Sequence, residues 1–167
     1  MGFSDSAFPR VEGHLRCGPF PVEEIAQRHG TPLYLYSMEG VRSRYRHLSE
    51  AFAPANPLIA YSVKANGNLT LLSRLAAMGS GADIVSGGEL FRALRAGMSP
   101  GKILFAGVGK TDDELRAGMD AKIYSFNVET TDELHRLEAM ASERGTRVSF
   151  GIRINPDVHA PTPHEYT

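Results

Sequence analysis

From Leu58 onward the chain alternates short apolar runs with longer segments of helical period, and this alternation limits the fold more than any other feature. A parallel strand pair needs a crossover long enough to hold a helix, so repeated units of this kind build a parallel sheet flanked by helices. Residues 58–63 read as the first strand, and Leu71, Leu72, Leu75 and Ala76 then share one face of a helix over 69–78 that Gly79 and Gly81 stop. Further strands are predicted at 82–86, 102–106, 121–126 and 147–154. Helices lie between them at 88–96, from Thr111 onward, and at 131–143. Thr111-Asp112-Asp113-Glu114 has the form of a capping box.

The last run decides between two α/β architectures. Val148, Phe150, Ile152 and Ile154 alternate with Ser149, Gly151, Arg153 and Asn155. Open doubly wound sheets are covered by helices on both faces, whereas a barrel strand points one row at the helices and the other inward. The expectation is therefore a partial (β/α)8 barrel that stops after its fifth strand, in a loop beginning at Asn155. A complete barrel needs about 250 residues, so these 167 residues read as part of a larger protein. The earlier chain, a helix over 22–30 and a strand over 32–36, reads as a separate layer.

Composition removes several functions. A formal net charge of −1 gives no long-range attraction to phosphate backbones, which argues against nucleic acid. Cys17 is the only cysteine, so no intrachain disulfide forms, and a reducing cytoplasm fits. The start lacks a basic flank followed by an apolar run, and no apolar stretch reaches membrane-spanning length, so no membrane role is expected. The six histidines lack zinc-site spacing, and no metal is expected.

The strongest chemical signal is Tyr61-Ser62-Val63-Lys64-Ala65-Asn66, a lysine where an apolar strand ends. Barrels place reactive groups at that end of their strands. A partly buried lysine amine is held toward its free base, the form that attacks an aldehyde. The alternative is a structural lysine whose stem lies on the strand while its charge reaches water. Spacing alone leaves both readings open.

Ser62-Val63-Lys64-Ala65-Asn66 resembles the cofactor-lysine motif of the alanine-racemase-like (fold-type III) pyridoxal-phosphate enzymes. Four further strings, in order, are similar to the diaminopimelate decarboxylase family. They run from Gly81 to Leu90, Phe105 to Thr111, Ile123 to Glu129 and Arg153 to Val158. The resemblance implies that Lys64 holds pyridoxal 5'-phosphate as a Schiff base, with Asp83 and Glu89 close by and Arg153 contacting the ring hydroxyl. The alternation independently turns Arg153 inward. Asp83 and Glu89 each keep a second reading, as a cap or a dipole partner of the following helix.

The family further implies decarboxylation of meso-2,6-diaminopimelate to L-lysine by a cytoplasmic homodimer. It implies that residues 1–37 contribute to a separate β-domain layer, that 38–167 begin the cofactor-binding barrel, and that the fragment alone is inactive. The rivals are a sister decarboxylase acting on ornithine, arginine or carboxynorspermidine, and a cofactor-binding homologue without catalysis. Gly87-Gly88 is not expected to hold phosphate, because the family's phosphate glycines come from later loops. The string Gly107 to Thr111 lacks the glycine spacing of a nucleotide loop. The stretch from His159 to His164 departs from the family pattern.

Overall fold

In the computed structural model, which describes residues 7–156, the first elements are three short antiparallel strands: β1 (Arg10–Val11), β2 (His14–Cys17) and β3 (Phe20–Pro21). Glu12 and Gly13 both take positive φ between β1 and β2. That is the two-residue turn whose twist matches the strands it joins. Helix α1 (Val22–His29) packs on β2 and β3, with Glu23 and Glu24 in its first turn and Arg28 and His29 in its last, complementing its dipole. Helix α2 (Met38–Ala51) begins where Ser37 Oγ accepts the Gly40 N–H at 3.1 Å.

One expectation needs correction here, and one helix has to be added. Residues 32–36 form no strand: among the described residues they have no ladder partner, and Leu33, Tyr34 and Tyr36 stay exposed. Apolar alternation makes a strand only where a neighbouring backbone takes up its N–H and C=O groups. Helix α2, by contrast, was not read from the sequence. Its signal was present, since Met38, Val41, Tyr45 and Leu48 recur at three- and four-residue intervals.

Chain contacts separate Met1–Pro57 from a second unit, Leu58–Thr167. The second unit alternates without interruption: β4 (Ala60–Ser62), α3 (Leu69–Ala77), β5 (Gly81–Ile84), α4 (Gly87–Arg95), β6 (Ile103–Phe105), α5 (Asp112–Ala121), β7 (Ser125–Val128), α6 (Thr131–Glu143) and β8 (Phe150–Ile152). All five strands are parallel and lie in sequential order, β4-β5-β6-β7-β8. A doubly wound sheet reverses strand order at a switch point. Without a reversal, right-handed crossovers return every helix over the same face. The unit is thus part of a β/α barrel, as the alternation predicts.

The core lies between sheet and helices. Ala82, Ile84, Ile103, Phe105, Phe126 and Val128 form the sheet side and Leu72, Leu75, Leu90, Leu115 and Leu137 the helix side, all buried. Phe105 and Phe126 stack with ring centroids 6.2 Å apart. Each barrel helix starts with a side-chain cap immediately after the strand-end loop: Asn68, Ser86, Thr111 and Thr130. The predicted capping box at Thr111 and Glu114 is present.

The fourth barrel strand begins at Ser125 rather than at 121, because α5 continues to Ala121 and ends on Lys122 in the left-handed conformation, φ 55°. The fifth is shorter than 147–154, although Ser149 O and Arg153 N extend its bonding to β7 at either end. Phe150 and Ile152 occupy the helix-facing row of β8 and remain exposed. Among the described residues no helix is long and apolar enough to cross a membrane.

Candidate functional site

The register of the parallel sheet sorts the side chains into two rows. Ser62, Asp83, Leu104 and Ser125 are successive Cα partners across β4 to β7, and Asn127 partners Gly151 across β7 and β8. Partners in register share a face. Apart from Leu104 this row is small or polar, while the opposite row carries the apolar core. The helices cover the core row, so the polar row is the inner face of the barrel segment, where barrels assemble their sites at the C-terminal strand ends.

Lys64 lies two residues beyond Ser62, in a 3-10 turn (Val63–Ala65) that leaves β4 at that end. Buried Val63 anchors the turn on one side. On the other, Asn66 Oδ1 accepts the Asn68 N–H at 2.9 Å, and Asn68 caps α3. Lys64 itself is exposed, contrary to the partial burial that the sequence argument invoked.

Asp83 is half-buried on β5 and accepts the Ser62 Oγ hydrogen bond at 3.3 Å. It does not cap the next helix, because Ser86 does so by accepting the Glu89 N–H at 3.2 Å. Glu89 Oε2 accepts the Val85 N–H at 2.8 Å, closing the turn into α4. Arg153 follows β8 at the far edge of the sheet, its N–H bonded to Val128 O at 2.9 Å. Its Nη1 lies 3.2 Å from Glu129 Oε1. Lys64 and Asp83 therefore sit on neighbouring strands, and Arg153 sits three strands beyond Asp83.

Several polar residues at this end received no role from the sequence. Lys110 Nζ donates to Gly107 O, Asn127 O and Glu133 Oε1, each at 2.8 Å. Glu129 Oε1 accepts the Gly107 N–H at 3.0 Å. Glu114 Oε1 accepts the Gly87 N–H at 2.8 Å and its Oε2 accepts the Thr111 N–H at 2.9 Å. These backbone bonds, Gly87 first and Thr111 next, hold the Glu114 carboxyl below its ordinary range, against a smaller opposing push from burial. The Gly87 amide is thereby occupied by a carboxylate. Only the Thr111–Glu114 part of this network was readable, as a capping box. Apart from the Lys110–Gly107 bond, the rest joins residues more than fifteen positions apart.

The donor set fits pyridoxal phosphate in part. An accessible amine suits its aldehyde, and a carboxylate and a guanidinium on the same inner face suit its ring nitrogen and its ring hydroxyl. Of the four lysines only Lys64 is available at this end. Lys102 and Lys122 precede β6 and β7 at the opposite end, where Lys102 Nζ donates to Gly79 O, and Lys110 is sealed in its ion pair. Among the described residues no group of three or more His, Cys, Asp and Glu is placed to hold a metal. The departure from His159 to His164 lies outside the described residues.

Residues 38–167 match the family model for the pyridoxal-binding domain of pyridoxal-dependent decarboxylases. A diaminopimelate decarboxylase of Neisseria meningitidis serogroup B is 44% identical over 152 residues, covering 91% of this chain and 36% of that protein. The M. jannaschii diaminopimelate decarboxylase solved with L-lysine superposes with a TM-score of 0.87 at 35% identity, covering 93% of this chain and 37% of that one. The Helicobacter pylori enzyme, also solved with L-lysine, gives 0.81 at 43% identity, covering 84% and 36%. The chain thus spans little more than a third of the relatives it matches. Its sequential five-strand sheet, its inner polar row and its strand-end lysine accord with this match, and the chain belongs to the family of pyridoxal-dependent decarboxylases, in its pyridoxal-binding domain.

Proposed function

We propose that this chain carries the cofactor lysine of a diaminopimelate decarboxylase, which releases carbon dioxide from meso-2,6-diaminopimelate and leaves L-lysine. The observation that carries the reading is Lys64, the one lysine free at the C-terminal end of the barrel strands, next to the Ser62–Asp83 contact. The family match and the L-lysine bound by two related enzymes support the choice of substrate.

Lys64 Nζ would hold the cofactor through its aldehyde, at the end of β4. Asp83, oriented by the Ser62 hydroxyl, presents a carboxylate toward the ring. Arg153 would offer the ring hydroxyl a charged donor. Glu89 holds the β5–α4 turn, and with it the backbone beside Asp83. The bound cofactor supplies an electron sink for the pair left when carbon dioxide departs. Residues 1–37 belong with a separate β-domain and 38–167 with the barrel, a division supported by the start of the family match at 38. The working form is a cytoplasmic homodimer, in keeping with the lone free Cys17.

Borohydride reduction of the full-length holoenzyme followed by peptide mapping tests the assignment. The pyridoxyl group is expected on Lys64, and Lys64→Ala is expected to abolish carbon dioxide release from diaminopimelate. A label on Lys102, Lys110 or Lys122 would refute it.

A further inference from the structure

Loops at the C-terminal ends of β6, β7 and β8 are tied together, and the ties converge on Glu129. Its carboxylate accepts the Gly107 N–H at 3.0 Å and faces Arg153 Nη1 at 3.2 and 3.4 Å. The two partners differ sharply in environment: the Glu129 side chain is 10% exposed and that of Arg153 61%. An ion pair between two mobile surface chains locates neither. Here the anion is nearly buried and pinned by a backbone amide, so it is the arginine whose position the contact fixes.

The platform under Glu129 is itself held. Gly107 has φ +93°, and a Cβ there would lie 3.0 Å from Val85 Cβ, so its backbone is seated directly on the β5 loop. Lys110 Nζ holds Gly107 O and Asn127 O from behind while paired to Glu133. The Glu129 N–H in turn reaches Glu133 Oε2 at 3.5 Å. Both ends of the Glu129 attachment are therefore anchored, its carboxylate to the β6–α5 loop and its backbone to the first turn of α6.

We propose that Glu129 is a positioning residue, whose nearly buried carboxylate holds the Arg153 guanidinium ready on the inner face before the cofactor arrives. This rests on the reading of Arg153 as a cofactor contact. A free arginine side chain loses rotamer freedom each time it engages a ligand, and a held one has lost it already.

The test is a double-mutant cycle in the full-length protein with Glu129→Gln, Arg153→Ala and the pair, reading the dissociation constant of pyridoxal phosphate. Glu129→Gln keeps the size and an oxygen for the Gly107 N–H. Arg153→Ala is expected to weaken cofactor binding about tenfold, as loss of a charge-assisted hydrogen bond does. Glu129→Gln alone is expected to weaken it about threefold, and to add nothing once Arg153 is gone, the mark of residues acting as one unit. The circular dichroism of the bound cofactor's absorption band is expected to change in both single variants, with the melting temperature of the apoprotein held. Equal losses from Glu129→Gln in both backgrounds overturn the proposal. So does a Glu129→Gln variant that melts earlier but binds cofactor normally, which would assign the residue to the fold. If Arg153→Ala leaves affinity unchanged, the reading of Arg153 itself falls and Glu129 with it.

Discussion

Lys110 Nζ lies 2.8 Å from Glu133 Oε1 with side chains only 1% and 3% exposed, and its other two bonds reach Gly107 O and Asn127 O. An ammonium group has three N–H donors, and here three acceptors meet them. A buried pair of this kind gains little net stability over an apolar pair, but losing one partner leaves the other stranded. What it supplies is geometry: one lysine joins the loop after β6, the end of β7 and the first turn of α6.

Lys110→Met is therefore expected to cost about 3–5 kcal/mol, because it leaves a buried carboxylate without its cation and takes a donor from two carbonyls. Glu133→Leu added to it should restore part of the loss. Chemical denaturation of the two variants measures both effects, and a single variant as stable as the parent would show that solvent reaches the pair.

Glu114 makes stability depend on acidity. Its folded carboxyl titrates below the usual range because the Gly87 and Thr111 amides bond the charged form. A lowered value means that the stabilisation is fully present above the unfolded-state pKa, about 4.3, and is lost as pH falls through the folded value. In Glu114→Gln the melting temperature should fall less steeply below that point. Parallel acid limbs for variant and parent would remove Glu114 from the account.

Two glycines are expected to resist even alanine. A Cβ on Gly118 would lie 2.7 Å from Phe126 Cζ, and one on Gly81 only 2.1 Å from Lys102 O. Alanine favours a helix by about 1 kcal/mol over glycine, yet in α5 the clash with a core ring should reverse that sign. Gly81→Ala should be the worse of the two, since the obstacle is backbone. Thermal melts rank them, and a stabilised Gly118→Ala would mean that Phe126 has room to move.

The 167 residues expressed alone are expected to self-associate and to release no carbon dioxide from diaminopimelate. Among the described residues strand β8 is a sheet edge, and its Phe150 and Ile152 are 48% and 68% exposed. Unpaired apolar edges recruit further strands, and a lysine on such an edge blocks this. Ile152→Lys should therefore shift the chain toward monomer in sedimentation. Turnover matching the full-length protein would contradict the proposed distribution of the site along the chain.

The amino-acid order alone determined the alternation of strands and helices after Leu58, the capping box at Thr111 and the inward turn of Arg153. These are local matters, settled by side-chain period and by hydrogen bonds within four residues. It also singled out Lys64, because a short motif carries its neighbours with it. Where residues 32–36 found no neighbouring strand the same local rules misled, since a ladder needs a second backbone that period cannot supply. Tertiary structure alone decided that Asp83 meets Ser62, twenty-one residues away. It alone brought Lys110 to Glu133, Glu114 to Gly87 and Glu129 to both Gly107 and Arg153. Each of these contacts spans one β-α repeat. Strand pairing places successive loops side by side, and only that pairing sets which charge faces which amide.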